Sequence, residues 1–242
     1  MSVYVYGLTR AGLALPRPLH GVGDPPARLR KLVAGSLAAV VSAAPEKVRA
    51  CRRDLQAHQA VLLAVAGLGP LLPSRFGVVA AGDDDVLARL HDGPEGYAAA
   101  LDRVADRVEL NLKVFPREGG LMDLVREDPG VRRLRQEVRQ RPGYDASIRL
   151  GEAVMTGLCR RAAAVAREAV VALTALADEV QAGPEVPGCV LNLSFLVPDA
   201  HMTDCREVVD DLAEQFADRA DLRLTGPLPC YSFCELPTPA GV

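Results

Sequence analysis

The stretch from Leu222 to Phe233, LRLTGPLPCYSF, constrains the fold of this chain more than any other. Its first leucines alternate with polar residues, which predicts a half-buried β-strand. Gly226-Pro227 ends that strand, because proline has no N–H for a sheet hydrogen bond and glycine tolerates turn dihedral angles. If the chain then extends again, Tyr231 and Phe233 lie on one face of it. The stretch therefore predicts a rigid strand–corner–strand unit, residues 222–234, that completes a sheet of the second domain.

Strand and helix periodicities along the rest of the chain form two sets. The first set runs from Val3 to about Asp106 in the order β-ββ-α-β-α, and the second starts at Val108 and has the order β-α-β-α-β. A long helical segment is inserted in the second set. We therefore expect an α+β protein made of two ferredoxin-like α/β sandwich domains, residues 1–106 and 107–242.

Two elements of the second set have the clearest patterns. The segment from Val108 to Phe115 alternates strictly, with apolar residues on one face and Glu109, Asn111 and Lys113 on the other, which is typical of a half-buried strand. At about 144–182, apolar residues recur at three- and four-residue steps, which predicts one long amphipathic helix.

Composition excludes several classes of function. The chain has 242 residues, of which 49% are hydrophobic and 24% charged, so it reads as a folded protein rather than a disordered one. A net charge of −3 provides no general attraction to nucleic acid or to an anionic membrane. No stretch approaches the roughly 18–20 apolar residues of a spanning helix, and no signal peptide is apparent at the N-terminus. We expect a cytoplasmic protein with no nucleic-acid or membrane partner.

Residues that could carry catalysis or bind a metal are few. His58 lies on the apolar face of a predicted helix, where a satisfied histidine at the edge of the core is favoured over a ligand or base. Cys230 and Cys234 would need two further ligands to hold zinc, and His201 and Cys205 match that role only by coincidence. The glycine-rich, Walker A and nucleophile-elbow motifs are missing. The sequence therefore predicts no enzyme, no cofactor and no metal site.

An arginine-rich run stands out among the charged residues. The segment Val131 to Arg141 contains five arginines and could bind an acidic partner or nucleic acid. It has no interleaved aromatic residues, and acidic residues lie nearby, so a solvated helix face is favoured. The triple aspartate at 83–85 is explained more simply by the start of a helix than by a cation.

Several stretches, taken together, resemble the gas vesicle protein F/L family. These stretches run from the first predicted strand to the last, and their order and spacing make the match specific. They are Tyr4-Val5-Tyr6-Gly7, His58 before an apolar helical turn, Leu72-Pro73-Ser74-Arg75-Phe76-Gly77, Val108-Glu109 and Leu224–Phe233. The terminal corner departs from the family pattern, since Leu228 stands in place of a tryptophan and Cys230 in place of a second proline. This departure weakens the inference of a rigid aromatic contact but leaves the fold assignment intact.

The resemblance implies a gas vesicle synthesis accessory protein, required for making hollow, protein-walled flotation organelles. It implies a non-enzymatic assembly factor or minor structural component, located at the gas vesicle in the cytoplasm, that binds the small hydrophobic shell protein and other accessory proteins. Arg75, Tyr231 and Phe233 are the candidate partner-binding residues within the matching motifs. An alternative is a small-molecule sensor or regulatory binding protein, because ferredoxin-like sheets often bind metabolites.

Overall fold

The computed structural model describes residues 1–234, which form a mixed helix-and-sheet protein with two antiparallel sheets. Within residues 1–234, contacts divide the chain into two units, residues 1–109 together with 227–234, and Leu110–Gly226. The predicted second domain, 107–242, includes a segment, 227–234, that the contacts place with the first unit; its residues 235–242 lie outside the described part. The division into two domains at residue 106 stays a prediction.

The first unit contains the predicted order β-ββ-α-β-α, with one additional short strand, Val79–Ala80, and one additional helix, Pro94–Arg103. Its elements are β1 (Val3–Arg10), β2 (Arg30–Ala34), β3 (Leu37–Ala43), α1 (Arg52–Ala66), β4 (Leu71–Pro73), β5 (Val79–Ala80), α2 (Asp83–His91) and α3 (Pro94–Arg103). The strand order in its sheet is β2-β3-β1-β4, and β5 also pairs with β1. Strand β1 is therefore paired along both of its edges, and residues on both of its faces are buried from Val3 to Thr9.

Strand β1 carries the tyrosine-rich motif into the core of the first unit. Tyr4 and Tyr6 are completely buried, and helix α1 packs Val61, Leu62 and Val65 into the same core cluster. Gly7 allows the close approach of β4, because a Cβ at this position would lie 2.5 Å from the carbonyl oxygen of Leu72. The glycine of the motif is thus a packing requirement.

The second sheet is formed by strands on both sides of a helical segment. The remaining elements are β6 (Arg107–Pro116), α4 (Leu121–Glu127), α5 (Pro129–Gln140), α6 (Tyr144–Thr174), β7 (Glu179–Ala182), β8 (Leu191–Pro198), α7 (Met202–Gln215) and β9 (Ala220–Leu228). The strand order is β7-β8-β6-β9. Helices α4 and α5 both pack on α6, and α6 also packs against β8 and α7.

The predicted helix at 144–182 is wrong at its C-terminal end. Helix α6 ends at Thr174, and β7 replaces the last predicted turns. The Asp178 N–H donates to the carbonyl of Leu196 at 2.9 Å. From Glu179 onward, β7 pairs antiparallel with β8, with Glu179 opposite Leu196. Long-range strand pairing therefore overrides the local helical periodicity here.

The two units differ in how their strands are connected. From β6 to β9 the order is β-α-β-β-α-β, with α4, α5 and α6 in the place of the first helix. In the first unit, three strands precede α1. The description of both units as ferredoxin-like sandwiches is therefore not confirmed and stays a prediction. Within residues 1–234, no helix combines the length and apolar character needed to cross a membrane.

Candidate functional site

The motif stretches that are distant in sequence meet around His58 in the first unit. Four aromatic side chains, which we call the His58 cluster, come from β1, α1, the loop after β4 and the C-terminal turn: Tyr4, His58, Phe76 and Tyr231. The Phe76 ring centroid lies 5.6 Å from that of His58 and 6.1 Å from that of Tyr4, in edge-to-face arrangements. Such geometry is favourable for aromatic rings beyond the area they bury.

The hydrogen bonds of the His58 cluster favour one tautomer of its imidazole. The Gly77 N–H donates to the Tyr4 hydroxyl oxygen at 3.0 Å, so the Tyr4 O–H is free to donate to His58 Nδ1, also 3.0 Å away. The proton of neutral His58 then sits on Nε2, which lies 3.4 Å from the Tyr231 hydroxyl. Gly77 has a φ of 92°, a left-handed conformation that favours glycine, so the motif glycine places this donor.

The electrostatics of the cluster keep all of its groups uncharged near neutral pH. His58 is 4% exposed, and burial lowers its pKa below the ordinary value, with the Ser74 backbone hydrogen bond opposing the shift. Burial raises the pKa of Tyr4 and that of Tyr231 to about 12. The prediction that His58 is a satisfied histidine at the edge of the core is confirmed.

The C-terminal turn corrects the prediction of a second extended segment. Residues Tyr231–Phe233 form a 3₁₀ turn, and the Ser232 N–H and hydroxyl both donate to the Glu109 carboxylate, at 2.8 and 2.7 Å. These side-chain bonds give the backbone an alternative to a strand ladder. The tyrosine and phenylalanine consequently do not share a face: Tyr231 is 37% exposed, whereas Phe233 is 3% exposed.

Glu109 is the residue that sequence reasoning placed incorrectly. The alternation of β6 puts it on the polar face of the strand, yet it is 4% exposed. Its two carboxylate oxygens bind the two Ser232 donors, which compensates for the burial of a charge. The only sequence signal for this role is its place in the Val108-Glu109 motif.

The three candidate partner-binding residues have different environments. Arg75 is exposed in the loop that follows β4, next to Phe76. Phe76 is half-buried and packs against the core cluster. Tyr231 exposes part of its ring, and Phe233 is buried. The structure thus leaves Arg75 and Tyr231 accessible beside the His58 cluster.

The cysteines of the corner have little reactive character. Cys230 is buried, and burial raises the pKa of Cys234 to about 12, so its thiol stays protonated at neutral pH. Among residues 1–234, no group of three or more histidine, cysteine or carboxylate side chains is placed to hold a metal ion. Neutral phenols, a neutral imidazole and a surface guanidinium form an arrangement suited to binding a partner.

Comparison with known proteins gives consistent results over nearly the whole chain. The model of the family described as "Gas vesicle synthesis protein GvpL/GvpF" matches residues 2–235. Gas vesicle protein F of Streptomyces sp. (strain CB03234) is 41% identical and aligns with 97% of this chain and 100% of its own length. Gas vesicle protein L of the same organism is 32% identical, covering 96% of this chain and 92% of the relative.

A solved structure has the same fold. The crystal structure of GvpF from Anabaena sp. PCC7120 superposes with a TM-score of 0.79, over 97% of this chain and 98% of that chain. A second crystal structure, of GvpF from Microcystis aeruginosa, gives a TM-score of 0.74 over 97% of this chain and 99% of that chain. Sequence identity is 22% in both cases, so these likenesses show the fold alone.

Proposed function

Since this chain belongs to the GvpL/GvpF family of gas vesicle synthesis proteins, as its motifs predict, we propose that it is a non-enzymatic assembly factor or minor structural component of gas vesicles. In this role it binds the hydrophobic shell protein while the vesicle forms, and it acts with other accessory proteins at the vesicle in the cytoplasm. A shell protein with an apolar gas-facing side aggregates before assembly unless that surface is covered. A folded partner with an open aromatic surface supplies such cover.

The observation that carries the proposal is the accessible surface next to the His58 cluster. Tyr231 holds its hydroxyl 3.4 Å from His58 Nε2 while 37% of its side chain stays exposed. A ring held in this way has little conformational entropy to lose when a partner binds. Arg75 is exposed beside Phe76, and arginine and tyrosine are the residue types that contribute most to protein interfaces. Phe233 supports this surface from the interior by anchoring the turn.

The test is capture of the co-expressed shell protein by Tyr231→Ala and Arg75→Ala variants. We expect each substitution to reduce the amount of shell protein that co-purifies, with Tyr231→Ala weakening binding by at least about tenfold, as for an interface hot spot. Melting temperature should change by only a few degrees in Tyr231→Ala, because the ring is partly exposed and its hydrogen bond is long.

Tyr144→Ala is the matched control, since Tyr144 is 82% exposed at the start of α6 in the other unit. This variant should capture the shell protein as the wild type does. The proposed contact surface is wrong if Tyr231→Ala melts normally and still captures the shell protein. Failure of the wild-type chain to retain the shell protein would instead reject the proposed function itself.

A further inference from the structure

Helix α5 presents a row of three arginines that make no ion pair with a carboxylate within residues 1–234. Arg132, Arg135 and Arg139 follow one another at steps of three and four residues and so lie on one face of the helix. Neighbouring arginines are paired with carboxylates, at 2.7 Å for Arg149–Glu137 and 2.8 Å for Arg160–Asp128. Within residues 1–234, no such ion pair involves the three arginines of the row.

The arginine row borders a groove that is lined mainly by polar side chains and includes two apolar ones. The groove lies between α4 and α5 and has a volume of about 530 Å³. Met122 and Val125 contribute its apolar side chains, and Met122 is 60% exposed. A charged rim next to exposed apolar surface is the composition of an interaction surface.

Helix α7 carries the opposite charge with the same spacing. Its exposed face contains four carboxylates at successive steps of three, four and three residues: Asp204, Glu207, Asp211 and Glu214. With a rise of about 1.5 Å per residue, charges at these steps are about 4.5 and 6 Å apart along the axis on both helices. Three carboxylates of α7 therefore match the three arginines of α5 in either direction of the helix.

We propose that a second copy of this chain binds here, with the α5 arginine row of one copy against the α7 carboxylate row of the other. Both helices pack on α6; the four carboxylates of α7, Arg132 and Arg139 are exposed, and Arg135 is partly exposed. The contact joins two different surfaces of the chain. A pair of copies therefore leaves one arginine row and one carboxylate row without a partner. Such heterologous association extends into an open chain of copies unless rotation closes it.

Ionic strength is the first test, with the full-length chain studied by sedimentation velocity. We expect association at about 50 mM salt that is lost at about 500 mM, because exposed charges are screened within a few ångströms at high salt. Association that persists unchanged at 500 mM salt would overturn the proposal.

Charge reversal is the sharper test, because two variants should rescue each other. R132E/R135E/R139E and E207R/D211R/E214R should each weaken self-association by at least about tenfold. Mixing the two variants restores opposite charges on facing rows, so the mixture should associate. A loss that comes from misfolding is not restored by mixing, and matching circular dichroism spectra check the fold of each variant.

Two results would contradict the second-copy assignment. One is a mixture of the two variants that stays monomeric although each remains folded. The other is a wild-type chain that shows no self-association at low salt but binds a DNA or RNA duplex. If R132E/R135E/R139E abolishes that binding, the arginine row binds a polyanion and not a second copy.

Discussion

At the scale of single residues, the state of His58 follows from the groups that surround it. Tyr4 donates to Nδ1, Tyr231 lies 3.4 Å from Nε2, and Phe76 packs edge-on, so the imidazole is enclosed by uncharged groups. An imidazolium would gain no carboxylate partner among these contacts. Burial accordingly lowers the pKa of His58 in the folded chain.

This lowered pKa predicts a loss of stability in mild acid. Below about pH 6.5, the ordinary pKa of histidine, the unfolded chain binds a proton that folded His58 does not. The His58 contribution is thus fully present above pH 6.5 and is lost as the pH falls towards the folded pKa, at up to about 1.4 kcal/mol per pH unit. Denaturant unfolding at pH 7.5 and 5.5 should show a smaller difference for His58→Gln than for the wild type. The exposed His91 is the control, and equal pH dependence in His58→Gln and His91→Gln would refute the assignment.

The sequence predicts individual residues well where burial alone determines their role. His58 lies on an apolar helix face, and that is enough to predict a satisfied histidine. Its partners come from β1, the loop after β4 and the C-terminal turn, and no local pattern connects these segments. Glu109 is the opposite case: alternation predicts an exposed side chain, whereas a serine 123 positions away in the chain makes its burial possible.

At the scale of elements, the C-terminal turn depends on one buried carboxylate. Ser232 donates twice to Glu109, and these are charge-assisted bonds to a carboxylate that is 4% exposed. Removing the hydroxyl with Ser232→Ala should cost about 1.5–3 kcal/mol of unfolding free energy, the range for hydrogen bonds to charged groups. Amide exchange of the segment 230–234 should rise in the same variant.

Ser147→Ala provides the comparison for this prediction. The Ser147 hydroxyl also donates at 2.9 Å, but to a backbone carbonyl at an exposed helix start. Its removal should change stability by no more than about 0.5 kcal/mol. If both serine variants lose the same stability, the buried carboxylate is not what holds the turn.

Secondary-structure elements are predictable where a local sequence pattern determines them. The prediction fails where pairing with a strand that is distant in sequence determines the structure. The strand Val108–Phe115 has a local cause, its strict alternation, and it is found in the structure within β6. The end of α6 and the formation of β7 depend on pairing with β8, which helical periodicity does not include. The same limitation explains why the turn at Tyr231–Phe233 was expected to extend.

At the scale of the whole molecule, the C-terminal segment of the chain belongs to the same unit as the N-terminal strand β1. Residues 227–234 belong by contact to the unit of β1, α1 and the His58 cluster, although β9, which ends at Leu228, belongs to the second sheet. Sequence order alone assigns this segment to the second domain, because nothing local indicates a return. The motifs of the family resemblance do contain the relevant residues, since Tyr4, Phe76 and Tyr231 all meet at His58.

Truncation tests which unit the C-terminal segment stabilises. A chain ending at Leu228 lacks the turn, the buried Phe233 and both bonds to Glu109, whereas a chain ending at Cys234 keeps them. Loss of a buried phenylalanine alone costs about 3–5 kcal/mol, so the shorter chain should melt several degrees below the longer one. In hydrogen exchange, the loss of protection should be concentrated in β1 and α1, because His58 of α1, which is hydrogen-bonded to Tyr4 of β1, loses its Tyr231 partner. If protection is lost instead in β8 and α7 while β1 and α1 keep theirs, the segment stabilises the second domain, as the sequence order predicts.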